Sequence, residues 1–414
     1  MNIWIFHHYG SPPTMSGLTR PYHFAKFLRE RGYKSTVFSS AYLHYSNENL
    51  IKNKAQYLIH QEDKIPFVFI KTAEYKKNKL SRIFNMYSFY RNLFPVTKSY
   101  EKENGKPDVI LASSAHPLTV IAGIKIAKKY KIPCICEIRD LWPESIFEYG
   151  SLRKNSFFGK LLQAGEKWIY KKVDKIIFTM QGGYDYIIEQ GWQNVIPKEK
   201  CFYINNGVDL EAFDYNRKNY KIEDEDLDND SIFKVVYTGS VRRVNNLRII
   251  ADTAKELREN SNIKFLIWGG GNELEELRSY VESEGLTNIV FKGHVEKKYI
   301  PYILSKSDLN LIHCKQTNIM RFGSSENKTF DYLASGKPIL RTIKTGYDII
   351  LESNSGKCLE EQTVENIKGM VLDFYNIFTE QRNIYDEMCH NARRTADKYD
   401  FKVLTDKLIE VIEL

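Results

Sequence analysis

Residues 321–340 read RFGSSENKTFDYLASGKPIL, and the fold class turns on how this stretch parses. Polar residues run through Lys328 and Thr329, then come Phe330 and Asp331-Tyr332-Leu333-Ala334-Ser335. Gly336-Lys337-Pro338 stops the pattern, and Ile339-Leu340 opens an apolar run. The order predicts loop, short helix, sharp turn, strand. Gly336 stands where a helix C-terminus needs a residue that tolerates positive φ, and Pro338 bars further helix. At its other end the helix faces the loop Ser324-Ser325-Glu326-Asn327-Lys328. Free N–H groups, hydroxyls and a lysine there suit a phosphate group. Asp331 is expected in the first helical turn, accepting hydrogen bonds from a sugar diol. The plain alternative is an N-capped helix with a solvated lysine.

Outward from this stretch, apolar runs and helical patterns alternate. FKVVYTGS (233–240) is a strand into a glycine loop, with a helix expected over Leu247–Arg258. KFLIWGGG (264–271) is the next strand and loop, then a helix over Glu273–Glu284, then strands NIVFKGHV (288–295) and LNLIHC (309–314). The first half has the same grammar. NIWIF (2–6) is a strand, the loop HHYGSPPTMSG follows, a helix is expected over Arg20–Arg31, and Gly32 precedes the strand KSTVFSS. Strand 108–114 leads to His116-Pro117. Strand Cys134–Ile138 delivers Arg139 and Asp140 to a carboxyl edge, where open α/β sheets bind ligands. Alternation at this spacing predicts an α/β chain of doubly wound domains. Gly10 and Gly17 stand too far apart for GxGxxG, which argues against a dinucleotide oxidoreductase.

The 414 residues suggest two or three domains, and 43% hydrophobic content is enough for large cores. No run of 18 apolar residues exists to span a bilayer, and MNIWIFHHYG reads as a buried strand, not a secretory leader. The six scattered cysteines show no zinc or CxxC spacing, so a reduced, cytoplasmic protein is expected. Net charge is +8, yet residues 1–100 hold 15 Lys and Arg against 5 Asp and Glu, leaving the remainder slightly acidic. A basic face of this kind suits nucleic acid, an anionic membrane surface or an anionic small substrate, or is merely solvated. Tyr75, Phe84, Tyr87, Phe89 and Tyr90 interleave with Lys76, Lys77, Lys79, Arg82 and Arg91, a pattern of an interfacial helix. No RNA- or DNA-binding motif accompanies it, so no nucleic-acid partner is expected. Residues 214–231 are polar and charged and read as a linker. Their Asp224-Glu225-Asp226 and Asp228-Asn229-Asp230 resemble metal-holding DxD pairs, but lacking a preceding strand they read as solvated.

FDYLASGKPIL resembles the EAMAxGxPVV-type segment of retaining glycosyltransferases of family 4. It is nearer still to the SxxxKxFEYMAxGKPI version in O-antigen and capsule enzymes. Arg139–Ser145, RDLWPES, is similar to the same subgroup, as is the order Tyr75, Asn78, Arg82, Asn85, Met86, Ser88, Phe89. Asn206-Gly207-Val208-Asp209 resembles the PNGVD signature that precedes the interdomain linker. The resemblance implies a GT-B fold: two Rossmann-like domains facing a cleft. Residues 1–213 would be the acceptor-side domain, 214–231 the linker, 232–395 the nucleotide-sugar domain, and 396–414 a helix returning to the first.

The resemblance also implies a site. Gly17 allows close backbone approach, while His116 and Asp140 touch the transferred sugar or acceptor. Glu144 is a polar clamp or acceptor-side base. Gly239 opens the loop carrying Arg242 and Arg243, which with Lys328 face the diphosphate. Gly269 and Gly271 form the turn under the nucleotide, and the backbone at His294 and Val295 reads a uracil edge. Ser324 and Ser325 take the diphosphate, and Asp331 the ribose. Two departures stand out. The family's Glu-x7-Glu pair falls on Gly323 and Asp331, with Glu326 nearby but off-register, and its usual Arg and Lys fall on Ser240 and Asn245. The implied reaction is retaining, metal-independent transfer from a UDP-sugar, an N-acetylated sugar being the first expectation. The implied acceptor is an oligosaccharide or polyprenyl-diphosphate-linked sugar at the inner membrane face. Rival readings are a GT-B-fold nucleotide-sugar epimerase and a non-catalytic polyanion-binding protein.

Overall fold

Apolar runs in this chain are short and carry hydrophobic residues at successive positions, so both faces of each strand need cover. That is the signature of parallel sheets flanked by helices. The computed structural model describes every residue except Ser16, Lys76, Lys77, Asn78, Tyr149, Ser151 and the side chain of Lys79. The expected roles of Lys76, Lys77, Asn78 and the Lys79 side chain therefore lie outside the described residues. The chain divides into two units, Met1–Asn205 with Phe401–Leu414, and Asn206–Asp400.

The first unit contains β1 (Asn2–Phe6), β2 (Lys34–Ser40), β3 (Tyr42–Leu43), β4 (Glu48–Asn49), β5 (Tyr57–Glu62), β6 (Ile65–Ile70), β7 (Val109–Ser113), β8 (Cys134–Ile138), β9 (Lys175–Phe178) and β10 (Cys201–Tyr203). Strands β3 and β4 form a small antiparallel pair. The rest make one sheet in the order β10-β9-β8-β7-β1-β2-β6-β5, parallel except for the β5–β6 hairpin. The crossovers β6→β7, β7→β8 and β8→β9 run the same way along the sheet. Right-handed connections then place their helices, Lys79–Asn104, Pro117–Tyr130 and Phe157–Lys172, on one face. There the first packs on the second and the second on the third. Helix Arg20–Glu30 connects in the opposite direction, lies on the other face, and packs against Phe401–Glu413. Trp4, Phe6 and Phe38 fill the centre, the Trp4 and Phe38 rings 5.0 Å apart.

The second unit contains β11 (Phe233–Thr238), β12 (Ile263–Trp268), β13 (Ile289–Gly293), β14 (Leu309–Ile312), β15 (Ile339–Arg341) and β16 (Gly356–Cys358). They form an all-parallel sheet in the order β13-β12-β11-β14-β15-β16. Each sheet reverses its winding once, beside β1 in the first unit and beside β11 in the second. Ligands bind at the carboxyl edge of such switch points.

Residues 214–231 are not a free linker. Helix Leu210–Asn219 runs through their start, and Leu227 is fully buried in the second unit's core. Asp224 and Asp226 grip the Lys292 ammonium at 2.7 and 2.6 Å, and Asp226 also takes Lys264 at 2.6 Å. The carboxylates are thus paired within the fold, where the polar sequence suggested solvation. Among the described residues no helix is long and apolar enough to cross a membrane, and all six cysteines are free.

Candidate active site

In the first unit the switch point lies between β1 and β7, so the loops after these strands converge. His7 and His8 follow β1; His116 is the N-cap of helix Pro117–Tyr130 after β7. The His116 Nε2 and His8 Nδ1 atoms lie 2.8 Å apart, and His8 Nε2 lies 2.7 Å from Asn85 Oδ1. The Asn85 amide is oriented by its own nitrogen, which donates to Ala73 O at 2.5 Å and Thr72 Oγ1 at 3.0 Å. Its oxygen therefore accepts from His8, so His8 Nε2 carries a proton. Burial holds both imidazoles neutral, His8 well below its ordinary pKa and His116 down at about 3. A neutral His8 then has a bare Nδ1, which accepts from His116 Nε2–H, leaving His116 Nδ1 as a lone pair. That Nδ1 is buried without a partner among the described residues. Nitrogen-15 spectra should find His116 in the Nε2–H tautomer from about pH 5 to 8, and Asn85→Leu should mix the tautomers. A His116 Nδ1–H signal in the unaltered protein would overturn the relay.

Arg139 turns its Nη1 to His7 Nε2 at 3.0 Å, and Asp140 is exposed at the end of β8. Glu144 is buried; its Oε1 takes the Lys154 ammonium and the Gln190 amide, the latter at 3.2 Å. That pairing suits a clamp and opposes the role of a free base. Arg20 is buried rather than presented to a ligand. Its Nε donates to Glu137 Oε1 at 2.7 Å, and its two Nη atoms donate to Asn205 O and Ile204 O at 2.5 and 2.9 Å. Gly17 is required by loop closure. Leu18 N donates to Tyr9 O at 3.0 Å, and a Cβ at 17 would stand 2.3 Å from Ser11 Oγ.

In the second unit the loops after β11 and β12 meet backbone to backbone. Gly239 and Gly269 adopt φ of +153° and +151°, and Gly239 N donates to Trp268 O at 2.9 Å. A Cβ on Gly269 would land 1.6 Å from Gly239 O, and one on Gly271 would land 1.9 Å from Val241 O. Helix Asn327–Ser335 is pinned over this edge, because Thr238 N donates to Tyr332 Oη at 2.8 Å. Lys328 therefore lies with its Nζ 4.0 Å from the Tyr237 ring centroid, and 2.9 Å from where a Gly239 Cβ would stand. Gly336 at +67° ends the helix as its sequence requires.

Glu326 is the N-cap, which puts Lys328 at the second helical position and Asp331 in the second turn, not the first. Asp331 is half-buried, and burial raises its pKa against the pull of Lys297. Ser324 and Ser325 are half-buried ahead of the helix. Arg242 and Arg243 are exposed on the turn after Gly239. His294 is exposed beside half-buried Val295.

Sequence reasoning missed two buried groups of this edge. Arg341 donates to Asp348 Oδ2 at 2.9 Å and Thr329 Oγ1 at 3.1 Å, and its Nη2 lies 3.6 Å from Glu326 Oε2. Glu326 is thus tied to a buried cation. His313, after β14, donates from Nε2 to Asn246 O at 3.1 Å, with Nδ1 2.6 Å from Thr342 Oγ1; burial lowers its pKa to about 4. A strand-end arginine and histidine have no spacing that distinguishes them from core or surface residues.

Two Rossmann-like units with parallel sheets define the GT-B class. Anabaena Alr3699/HepE, solved with UDP, superposes with TM-score 0.68 at 14% identity, all of both chains being covered. WaaG, a glycosyltransferase involved in lipopolysaccharide biosynthesis, gives 0.65 at 15% identity over 99% of each chain. The model of Glycosyltransferase Family 4 matches residues 19–212, and that of Glycosyl transferases group 1 matches 232–376. The chain belongs to the GT-B glycosyltransferases of the family 4 type. TuaH of Bacillus subtilis strain 168, which carries the name of a teichuronic acid biosynthesis glycosyltransferase, is 22% identical over 209 residues. That match spans about half of each chain.

Proposed function

We propose that the chain transfers a hexose or N-acetylhexosamine from a UDP-sugar to a lipid-linked or oligosaccharide acceptor, with retention, in the synthesis of a bacterial surface polysaccharide. The observation that supports this most directly is the gathering of Lys328 Nζ, the Gly239–Gly269 backbone and the N-terminus of helix Asn327–Ser335 at one sheet edge. Such an edge suits a diphosphate. UDP bound to HepE, and the names of WaaG and TuaH, support the nucleotide and the polysaccharide setting.

In the reaction the bond from sugar C1 to the β-phosphate oxygen breaks and a bond from C1 to an acceptor hydroxyl oxygen forms. The hydroxyl proton passes to the leaving phosphate, on the face it departs from, which preserves configuration. Negative charge grows on the diphosphate as it leaves. Lys328, with Arg242 and Arg243 of the neighbouring turn, offsets that charge in the place of a divalent metal. Ser324 and Ser325 bind the diphosphate, Asp331 the ribose, and the backbone at His294 and Val295 the uracil. In the first unit the His116 lone pair accepts from a sugar hydroxyl, with Gly17 and Asp140 beside the acceptor. The acceptor is a polyprenyl-diphosphate-linked sugar or an oligosaccharide, and the enzyme works as a cytoplasmic protein on the inner membrane surface.

A thermal-shift panel of UDP-, GDP- and dTDP-sugars tests the donor, and stabilisation by UDP-sugars alone is expected. Lys328→Ala should weaken UDP-sugar binding by about 10- to 150-fold, the worth of one charge-assisted hydrogen bond. Unchanged affinity would remove Lys328 from the site. Chelators should leave transfer intact, and loss restored by Mn²⁺ would overturn the metal-free part. Conversion of the donor to an isomer with no glycosylated product would favour an epimerase.

A further inference from the structure

We propose that the outward faces of helices Lys79–Asn104 and Phe157–Lys172 form one platform that docks on an anionic lipid bilayer. This deepens the membrane-surface part of the proposed function and rests on it. In Phe157–Lys172 the side chains of Phe157, Phe158, Leu161 and Trp168 are exposed, Phe157 by 76%. Phe157, Leu161 and Trp168 share one stripe of the helix, while Ile169 and Tyr170 pack inward. In Lys79–Asn104 the exposed Leu80, Ile83, Phe84 and Tyr87 follow the i, i+3, i+4, i+7 pattern, and Phe89, Leu93 and Val96 are buried. Contiguous water-facing apolar residues of this kind mark an interaction surface.

Topology sets the two stripes on one face of the sheet. Each helix connects parallel strands and so runs antiparallel to them, starting at the carboxyl edge of the sheet. Both lie on the same face, separated by helix Pro117–Tyr130, which each packs against. Their apolar first turns therefore rim the edge that holds His8 and His116.

Charge selects the occupant. Arg153, Lys154, Lys160, Lys171 and Lys172 are exposed in and beside the second helix. The one acid within that helix, Glu166, is buried and bonded to Tyr170 and Tyr186 at 2.8 and 2.7 Å. Residues 79–100 contain no acid. Aromatic and aliphatic side chains ringed mainly by cations, with Glu74 and Glu148 the exposed acids just ahead of the two helices and Glu103 at the far end of the first, fit the interface of an anionic bilayer. A second copy fits worse, since an isologous pair would set this cationic face against itself. A lipid-linked acceptor would reach the edge from the membrane plane.

The test is co-sedimentation of the full chain with phosphatidylethanolamine/phosphatidylglycerol vesicles and with phosphatidylcholine vesicles. Binding to the anionic vesicles is expected. It should fall about tenfold or more in F157S/F158S and in F84S, with stabilisation by UDP unchanged. An unaltered chain that binds neither vesicle overturns the membrane-surface reading as a whole. Variants that bind as well as the unaltered chain overturn the platform and leave that reading standing. A dimer seen by light scattering that F157S/F158S dissociates assigns the face to a second copy and also overturns the proposal.

Discussion

Gly269→Ala is expected to destabilise the second unit by about 2–6 kcal/mol and to abolish stabilisation by UDP-sugars. The figure joins two costs of about 1–3 kcal/mol each, a strained backbone and overpacking. At φ +151° an alanine is strained, and its Cβ would stand 1.6 Å from the Gly239 carbonyl oxygen. No side chain can swing away to relieve that contact, because both partners are main chain. The backbones after β11 and β12 must part, and the Gly239–Trp268 hydrogen bond goes with them. Gly32→Ala supplies the contrast. Gly32 also has positive φ, at +85°, but nothing lies within 4 Å of its Cβ position, so about 1 kcal/mol is expected. Urea unfolding of both variants measures the difference. A Gly269→Ala chain that unfolds together with the Gly32→Ala chain and still responds to UDP would refute the close approach.

Arg20→Ala should cost the first unit about 3–5 kcal/mol, since it leaves a buried carboxylate without its cation. The same change strips donors from two carbonyls, Ile204 and Asn205. Ser113 Oγ, at 2.8 Å from Glu137 Oε2, cannot replace a charge. The pair also sets an acid dependence. Burial pushes the Glu137 carboxyl up, but Arg20 and then Arg139 hold it down at about 2, from 4.5. With the folded value below the unfolded one, this stabilisation is complete above about pH 4.5 and is lost as pH falls through about 2. It amounts to about 3 kcal/mol. Glu137→Gln should flatten that part of the acid unfolding profile; an unchanged slope would show that other carboxylates govern it.

Much of the architecture was readable because apolar runs and glycine stops agree with one another. Strand Cys134–Ile138 and helix 20–30 fall where their residues place them, and Gly336 ends its helix in the left-handed conformation. What stayed hidden depends on partners distant in sequence. The β5–β6 hairpin turns at Asp63-Lys64, both with positive φ, without the Asn-Gly that marks such turns. The stretch 214–231 looked solvated because its acids find their lysines at 264 and 292, and lone Leu227 shows no period. Asp331 falls in the second turn because the helix already begins at Asn327, inside the polar stretch that reads as loop. Lys328, Gly239 and Gly269 lie at one sheet edge, and the sequence offered the two glycines only through the resemblance of their loops to the family's. The Asn85–His8–His116 chain was invisible, since only the sheet's winding brings residues 8, 85 and 116 to one point.

Residues Phe401–Leu414 complete the unit that begins at Met1, with Phe401 stacked on His23 at 4.5 Å and Lys175 Nζ donating to Val411 O at 2.5 Å. During synthesis on the ribosome, Asn206–Asp400 emerge before this closing helix does. The earlier half must therefore wait, incompletely covered along helix Arg20–Glu30, while the later half is free to fold first. A chain truncated after residue 400 should still yield a protease-resistant fragment from the later half, whereas its earlier half should stay protease-sensitive; equal resistance of both halves would show that the closing helix is dispensable.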